Sequence, residues 1–84
     1  MQYVYVLKSK KNGNLYTGCT ENLKRRFALH NAKKVPSTRK YVPFVLIYYE
    51  AYINAKDAYN REKYMKTQRG RNYIRKTLNN FFNS

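Results

Sequence analysis

The Asn12-Gly13 dipeptide, standing between two strand-like runs, constrains this chain more than any other feature. On the N-terminal side, Gln2–Ser9 reads as a strand with Tyr3, Tyr5 and Leu7 on one face and Val4 and Val6 on the other. Both faces are apolar, so the strand belongs in the middle of a sheet rather than at its edge. Lys10-Lys11-Asn12-Gly13-Asn14 interrupts it, and residues 15–19 form the return strand. A two-residue turn at Asn12-Gly13 pairs Lys11 with Asn14 and sets Tyr16 opposite Ser9. Tyr16 then shares a face with Tyr5, four positions along the sheet, at roughly 13 Å. A shifted or bulged loop brings the two tyrosines closer and keeps the face, provided the sum of paired residue numbers stays odd.

Beyond the hairpin, Thr20 is the expected N-cap of a helix over Leu23–Asn31. Leu23, Phe27 and His30 recur on one face of it, Arg26 borders that face, and Lys24 and Arg25 point elsewhere. Residues 32–43 are a loop rich in cations and breakers: Lys33, Lys34, Arg39 and Lys40 among Pro36, Ser37, Thr38 and Pro43. Phe44–Tyr52 is a third strand. Asn54 caps the next helix, with Asp57 at the reciprocal position of a capping box, and that helix runs to about Thr67. Gly70 punctuates, and residues 71–82 form a last helix with Tyr73, Ile74, Leu78 and Phe81 inward. The expectation is an α+β fold in ββαβαα order, a small three-stranded antiparallel sheet flanked by helices, with residues 1–84 as a single domain.

Charge narrows the function. Eighteen Lys and Arg face four acids, Glu21, Glu50, Asp57 and Glu62, for a net charge of +14. Such a field draws polyanions, and nucleic acid is the favoured partner, DNA ahead of RNA. A membrane is not: no stretch approaches the ~20 apolar residues of a spanning helix, and the cations are scattered. Cys19 is the only cysteine, so no internal disulfide and no CxxC zinc site can form. The first residues lack a basic segment followed by an apolar one, so no secretory signal is expected and the reducing cytoplasm is the expected compartment.

Among the few residues that can carry chemistry, Glu62 is foremost. Its helical neighbours Ala55, Ala58, Tyr59 and Met65 put it on the apolar stripe rather than the solvated side. A carboxylate there needs a partner. It is either an ion pair, with Lys66 at i+4 or with Arg26, or the single carboxylate of a hydrated Mg²⁺ site. Arg26 offers a planar fork suited to phosphate, and His30, the only histidine, lies one turn further on the same face. Tyr5 and Tyr16 stand out from ten tyrosines because their strands put both phenols on one face. Cys19 carries no sign of nucleophilic activation.

Taken in order, these residues resemble the GIY-YIG nuclease superfamily over essentially the whole chain, and more closely its small bacterial members that are similar to the incision domain of the UvrC repair protein. Tyr3-Val4-Tyr5 stands where the first motif would, and Tyr16-Thr17-Gly18 where the second would, eleven residues on from Tyr to Tyr. The family's arginine, ten residues after the second-motif tyrosine, selects Arg26; a histidine four residues later matches His30; and Glu62 matches the metal-binding glutamate on the helix after the third strand. Two positions depart from the motif: Tyr3 replaces its glycine and Thr17 its isoleucine.

The resemblance implies one-metal phosphodiester hydrolysis. Glu62 holds Mg²⁺ or Mn²⁺, Arg26 neutralises charge on the phosphoryl oxygens, and Tyr5, Tyr16 or His30 positions or deprotonates the attacking water. A free phenol has a pKa near 10, so a tyrosine base needs assistance. Lys33, Lys34, Arg39 and Lys40 of the loop and Arg69, Arg71, Arg75 and Lys76 of the last helix are the expected backbone contacts. A partner protein can supply the substrate choice that a lone module lacks. Two other classes compete: a non-catalytic nucleic-acid-binding module, and an accessory protein of a repair or recombination complex. Neither accounts for a carboxylate in a phosphate-facing groove, which weakens anion binding unless a metal reverses its sign.

Overall fold

β1 is central because it has no polar face over its middle: Val4, Tyr5, Val6 and Leu7 are each at most 2% exposed. In the computed structural model, which describes residues 1–84, β1 (Gln2–Ser9), β2 (Leu15–Thr20), α1 (Leu23–Asn31), β3 (Phe44–Tyr52), α2 (Ala55–Met65), α3 (Gln68–Thr77) and the short α4 (Asn79–Phe82) follow in order. The sheet runs β2-β1-β3, antiparallel throughout. The expected α+β architecture is therefore present. No helix is long and apolar enough to cross a membrane.

The sheet separates two cores. Tyr5, Leu7 and Phe44 pack against Leu23 and Phe27 of α1. Val4 and Val6 pack on the opposite face against Ala58 and Met65 of α2 and Ile74 of α3. Burying a side chain of the size of Met65 or Ile74 contributes roughly 1.5–3 kcal/mol. A bulge in β3 serves both cores. The register shifts between Val6 and Leu7, so Leu46 faces Leu7 while Tyr49 faces Tyr5. Without the extra residue these two positions, three apart, would lie on opposite faces.

The hairpin differs from the two-residue turn that Asn12-Gly13 suggests. Tyr16 faces Leu7 rather than Ser9, and Gly18 faces Tyr5. The loop spans residues 10–13 and is closed by Ser9 N–H to the Asn14 carbonyl (2.9 Å) and Gly13 N–H to the Ser9 carbonyl (2.9 Å). Buried Ser9 decides this. Its hydroxyl accepts the Lys11 and Asn12 amides at 3.1 and 3.2 Å and donates to the Tyr41 carbonyl at 2.5 Å. The loop therefore closes on a side chain, and Tyr16 moves two positions nearer Tyr5 while keeping its face.

Several helix ends also differ. Asn22, not Thr20, caps α1, accepting the Arg25 amide at 3.1 Å; Thr20 ends β2, and its hydroxyl accepts the Asn22 amide. Asn54 caps α2 as expected, accepting the Lys56 amide at 2.8 Å. α2 stops at Met65, and Thr67 caps α3 by accepting the Gly70 amide. Gly70 thus lies inside α3. A Cβ there would come within 2.5 Å of Met65 Cα, so its absence lets the two helices meet at a tight corner. The last helix breaks at Leu78; Phe82 packs against the core of Val4, Val6 and Ile74, while Phe81 and Tyr73 are exposed. Tyr59 is exposed too, under the Lys63 ammonium, so the inner face of α2 is Ala58, Arg61, Glu62 and Met65.

Candidate active site

A chain of buried hydroxyl and imidazole groups crosses the α1 side of the sheet. Tyr5 Oη lies 2.9 Å from His30 Nε2, and His30 Nδ1 lies 2.8 Å from Thr38 Oγ1. His30 is fully buried and Thr38 nearly so. The Thr38 hydroxyl also reaches the Val35 carbonyl, at 3.5 Å. Donating there, it accepts from Nδ1–H and leaves Nε2 free to accept the Tyr5 proton; this tautomer is assigned from the bonding pattern. Burial, with the Arg26 charge beside it, pulls the His30 pKa below its usual value, so the ring is neutral at pH 7.

Gly18 allows this arrangement. A Cβ at Gly18 would meet the Tyr5 hydroxyl and approach Cζ to 2.5 Å. The phenol therefore lies directly across β2, over the glycine that the second motif supplies. Tyr16, two positions away on the same face, stands 6.5 Å from the Tyr5 ring and 5.1 Å from the His30 ring. It is only half-buried and lines a mixed groove with Ser9, Asn12, Thr38, Tyr41 and Phe44.

Burial and charge both act on the same hydroxyl. Burial pushes the Tyr5 pKa well above 10; Tyr16 and Glu62 add to that, and the Arg26 guanidinium opposes it. Arg26 is carried by α1 and Glu62 by α2, helices that pack on opposite faces of the sheet. Arg26 is half-buried, forms no ion pair, and lines an open groove with Thr20, Glu21, Asn22, Arg25 and Leu29. Glu62 is held by Lys66 Nζ at 3.0 Å, the i+4 pair that the sequence allows; the lysine is 53% exposed and the carboxylate 16%. Cys19 is half-buried with its thiol 3.5 Å from Gln2 Oε1, and burial raises its pKa, so it stays a thiol.

Glu62 has a brace that the sequence does not reveal. The preceding residue, Arg61, grips Glu50 of β3 through Nε and Nη2 at 2.8 and 3.0 Å, and the Tyr48 and Tyr52 hydroxyls donate to the same carboxylate at 2.6 and 2.5 Å. Burial works against the charge, but these hydrogen bonds and the guanidinium hold the Glu50 pKa at about 2. Tyr64 and Tyr73 stack on the guanidinium. The brace fixes the rotation of α2 and hence the direction of Glu62.

The expected backbone contacts fall into two groups. Lys33, Lys34, Arg39 and Lys40 are exposed on the loop after α1, whereas Arg69, Arg71, Arg75 and Lys76 are exposed on α3, which packs on the other face. Only Arg71 and Arg75 share a groove, with Asn14 and Leu15 of the hairpin. Lys24 and Arg25, read as pointing away, line the grooves beside Arg26. Thr38 was legible only as a loop residue; nothing local marks it as the partner of His30.

Three comparisons bear on this geometry. The profile described as GIY-YIG catalytic domain matches residues 1–79. A UPF0213 protein of Clostridium perfringens is 43% identical over 67 residues, covering 79% of this chain and 71% of the relative. One of Staphylococcus haemolyticus is 44% identical over 66 residues, covering 77% and 79%. The solution NMR structure of a UPF0213 protein from Bacillus halodurans is similar with a TM-score of 0.58 at 30% identity, covering 93% of this chain and 86% of that one.

Proposed function

The chain belongs to the GIY-YIG catalytic-domain family, and from that premise we propose that it is a divalent-metal-dependent endonuclease hydrolysing phosphodiester bonds in DNA. The observation that carries the reading is the buried Tyr5 Oη–His30 Nε2 contact at 2.9 Å, with the Tyr16 ring beside both rings.

Glu62 suits Mg²⁺ or Mn²⁺. It is a hard oxygen donor, partly withdrawn from water, whose one partner is a lysine on an exposed, flexible arm. In a field of +14 it otherwise weakens phosphate binding. Glu62 would hold the cation, which would supply positive charge to the scissile phosphate. Arg26, which forms no ion pair, grips the non-bridging oxygens. Tyr16, the outermost of the three candidate groups, orients the attacking water. The water gives a proton to Tyr5 Oη as Tyr5 gives its own to His30 Nε2. The new P–O bond forms, the bond to the leaving oxygen breaks, and that oxygen takes a proton from solvent. A partner protein can add to the choice among DNA structures that the module makes by itself.

The Glu62–Lys66 pair favours a second reading, a binding module whose glutamate is already satisfied. Cleavage of labelled DNA with and without Mg²⁺ separates the two, beside Arg26→Ala. Loss of one transition-state donor lowers kcat by about 10²–10³. Metal-dependent cleavage reduced to that extent, with DNA binding retained, supports the nuclease. Binding without cleavage under any metal supports the module.

A further inference from the structure

One departure from the family motif builds a feature of its own. Tyr3, standing where the motif has glycine, packs edge-on against Tyr49 of β3 with ring centroids 6.2 Å apart. This is not core packing, because Tyr49 is 55% exposed. The two rings form one wall of a groove of about 380 Å³, and the start of α1 (Glu21, Asn22, Leu23 and Lys24) forms the other. Glu21 and Asn22 also line the groove that holds Arg26, so the two grooves adjoin.

We propose that this second groove is a base-stacking subsite that receives one unpaired nucleobase next to the phosphate gripped by Arg26. The proposal rests on the nuclease reading and adds a substrate class to it, DNA with a single-stranded or frayed segment at the cut. Three properties of the groove fit a base better than a phosphate or an apolar protein segment. An exposed tyrosine face is a sequence-tolerant stacking platform. Lys24 lies at the rim to meet the flanking backbone charge. Glu21 has no cation within ion-pair distance, since the only pairs are Arg61–Glu50 and Lys66–Glu62. A free carboxylate repels phosphate but accepts from the exocyclic amine of a base. Bases held in a duplex are already stacked and cannot enter, which gives the preference for unpaired DNA.

The test uses the whole chain without divalent metal, so that no cleavage occurs. Binding of single-stranded and duplex oligonucleotides of equal length is compared for the native protein, Tyr49→Ala and Tyr49→Phe. Single-stranded probes carrying 2-aminopurine report stacking by quenching. Loss of one stacked base weakens binding about tenfold or more. We expect Tyr49→Ala to lose that factor on single strands only and to lose the quenching, with Tyr49→Phe close to native. Equal loss on both DNA forms, no loss on either, or undiminished quenching in Tyr49→Ala overturns the subsite. A protein that cleaves with metal yet shows no such discrimination loses the subsite and keeps the nuclease reading. One that stacks a base yet never cleaves does the reverse, and one that binds neither DNA form overturns both.

Discussion

Tyr5 Oη sits 2.9 Å from His30 Nε2, and both residues are withdrawn from solvent, at 2% and 0% exposure. The short contact lets the imidazole accept the phenolic hydrogen bond, and because burial disfavours a separated phenolate the proton passes to it only as the water's proton replaces it on Oη. The acid limb of kcat/KM should then follow His30. Its pKa is lowered by burial and by Arg26, so activity should persist below pH 6.5 and fall only as the ring protonates. Burial raises the Tyr5 pKa, so no alkaline limb from free phenolate should appear near pH 10. Tyr5→Phe should reduce kcat by about 10²–10⁴. A pH–rate profile checks all three, and an acid limb above pH 6.5 would contradict the burial argument.

Thr38 acts through the imidazole. Thr38→Val keeps the shape but leaves Nδ1–H without its 2.8 Å partner. A buried unpaired donor costs about 1–3 kcal/mol, and the ring is free to adopt the other tautomer. We expect a lower melting temperature and a fall in kcat without a matching rise in KM. Thr38→Ser, which keeps the hydroxyl, should recover most of both. If the valine variant were as active as native, the tautomer assignment would be wrong.

Gly18→Ala should be far more damaging than an ordinary strand substitution. The added methyl meets the Tyr5 ring, whose Cζ lies 2.5 Å from the ideal Cβ position. Overpacking costs typically ~1–3 kcal/mol, and any relief moves the phenol away from His30. Thermal melts and cleavage rates should fall together. A stable, fully active Gly18→Ala protein would show that the phenol does not need this position.

The Glu50–Arg61 brace gives a pH signature of its own. Glu50 has a folded-state pKa of about 2 against the usual 4.5, so its stabilising effect is present above 4.5 and lost as pH falls from 4.5 through 2. Native protein should lose stability over that window, and Glu50→Gln should lose less of it from a lower starting point. His30 contributes separately: it is buried neutral, so its effect fades as pH falls below 6.5. Melting temperature against pH, measured for the native chain and Glu50→Gln, resolves the two windows.

What could be read from the sequence was governed by periodicity and spacing. Val4, Val6, Tyr5 and Leu7 announce a central strand, and Leu23, Phe27 and His30 announce the buried face of α1; both hold in the structure. The hairpin register was not legible, because it depends on Ser9, whose hydroxyl closes the loop and reaches Tyr41, 32 residues away. The boundary at Gly70 misled because a glycine that relieves a helix–helix contact looks the same in sequence as one that ends a helix. Among the candidate residues, Tyr5, Tyr16, Arg26 and His30 came from motif spacing. The Glu50–Arg61 grip and the Thr38 contact did not, since each joins elements that only the tertiary fold brings together.

The most direct measurement is DNA cleavage by the native protein and Glu62→Ala, side by side, across a Mg²⁺ and Mn²⁺ titration, with DNA affinity followed in parallel. Removing the carboxylate leaves Lys66 and the rest of the positive surface intact, so binding should be retained or improved. We expect metal-dependent cleavage in the native protein and none in Glu62→Ala. Cleavage that proceeds at the native rate in Glu62→Ala, or that needs no divalent metal in either protein, would contradict the assignment of Glu62 as the metal ligand of this site.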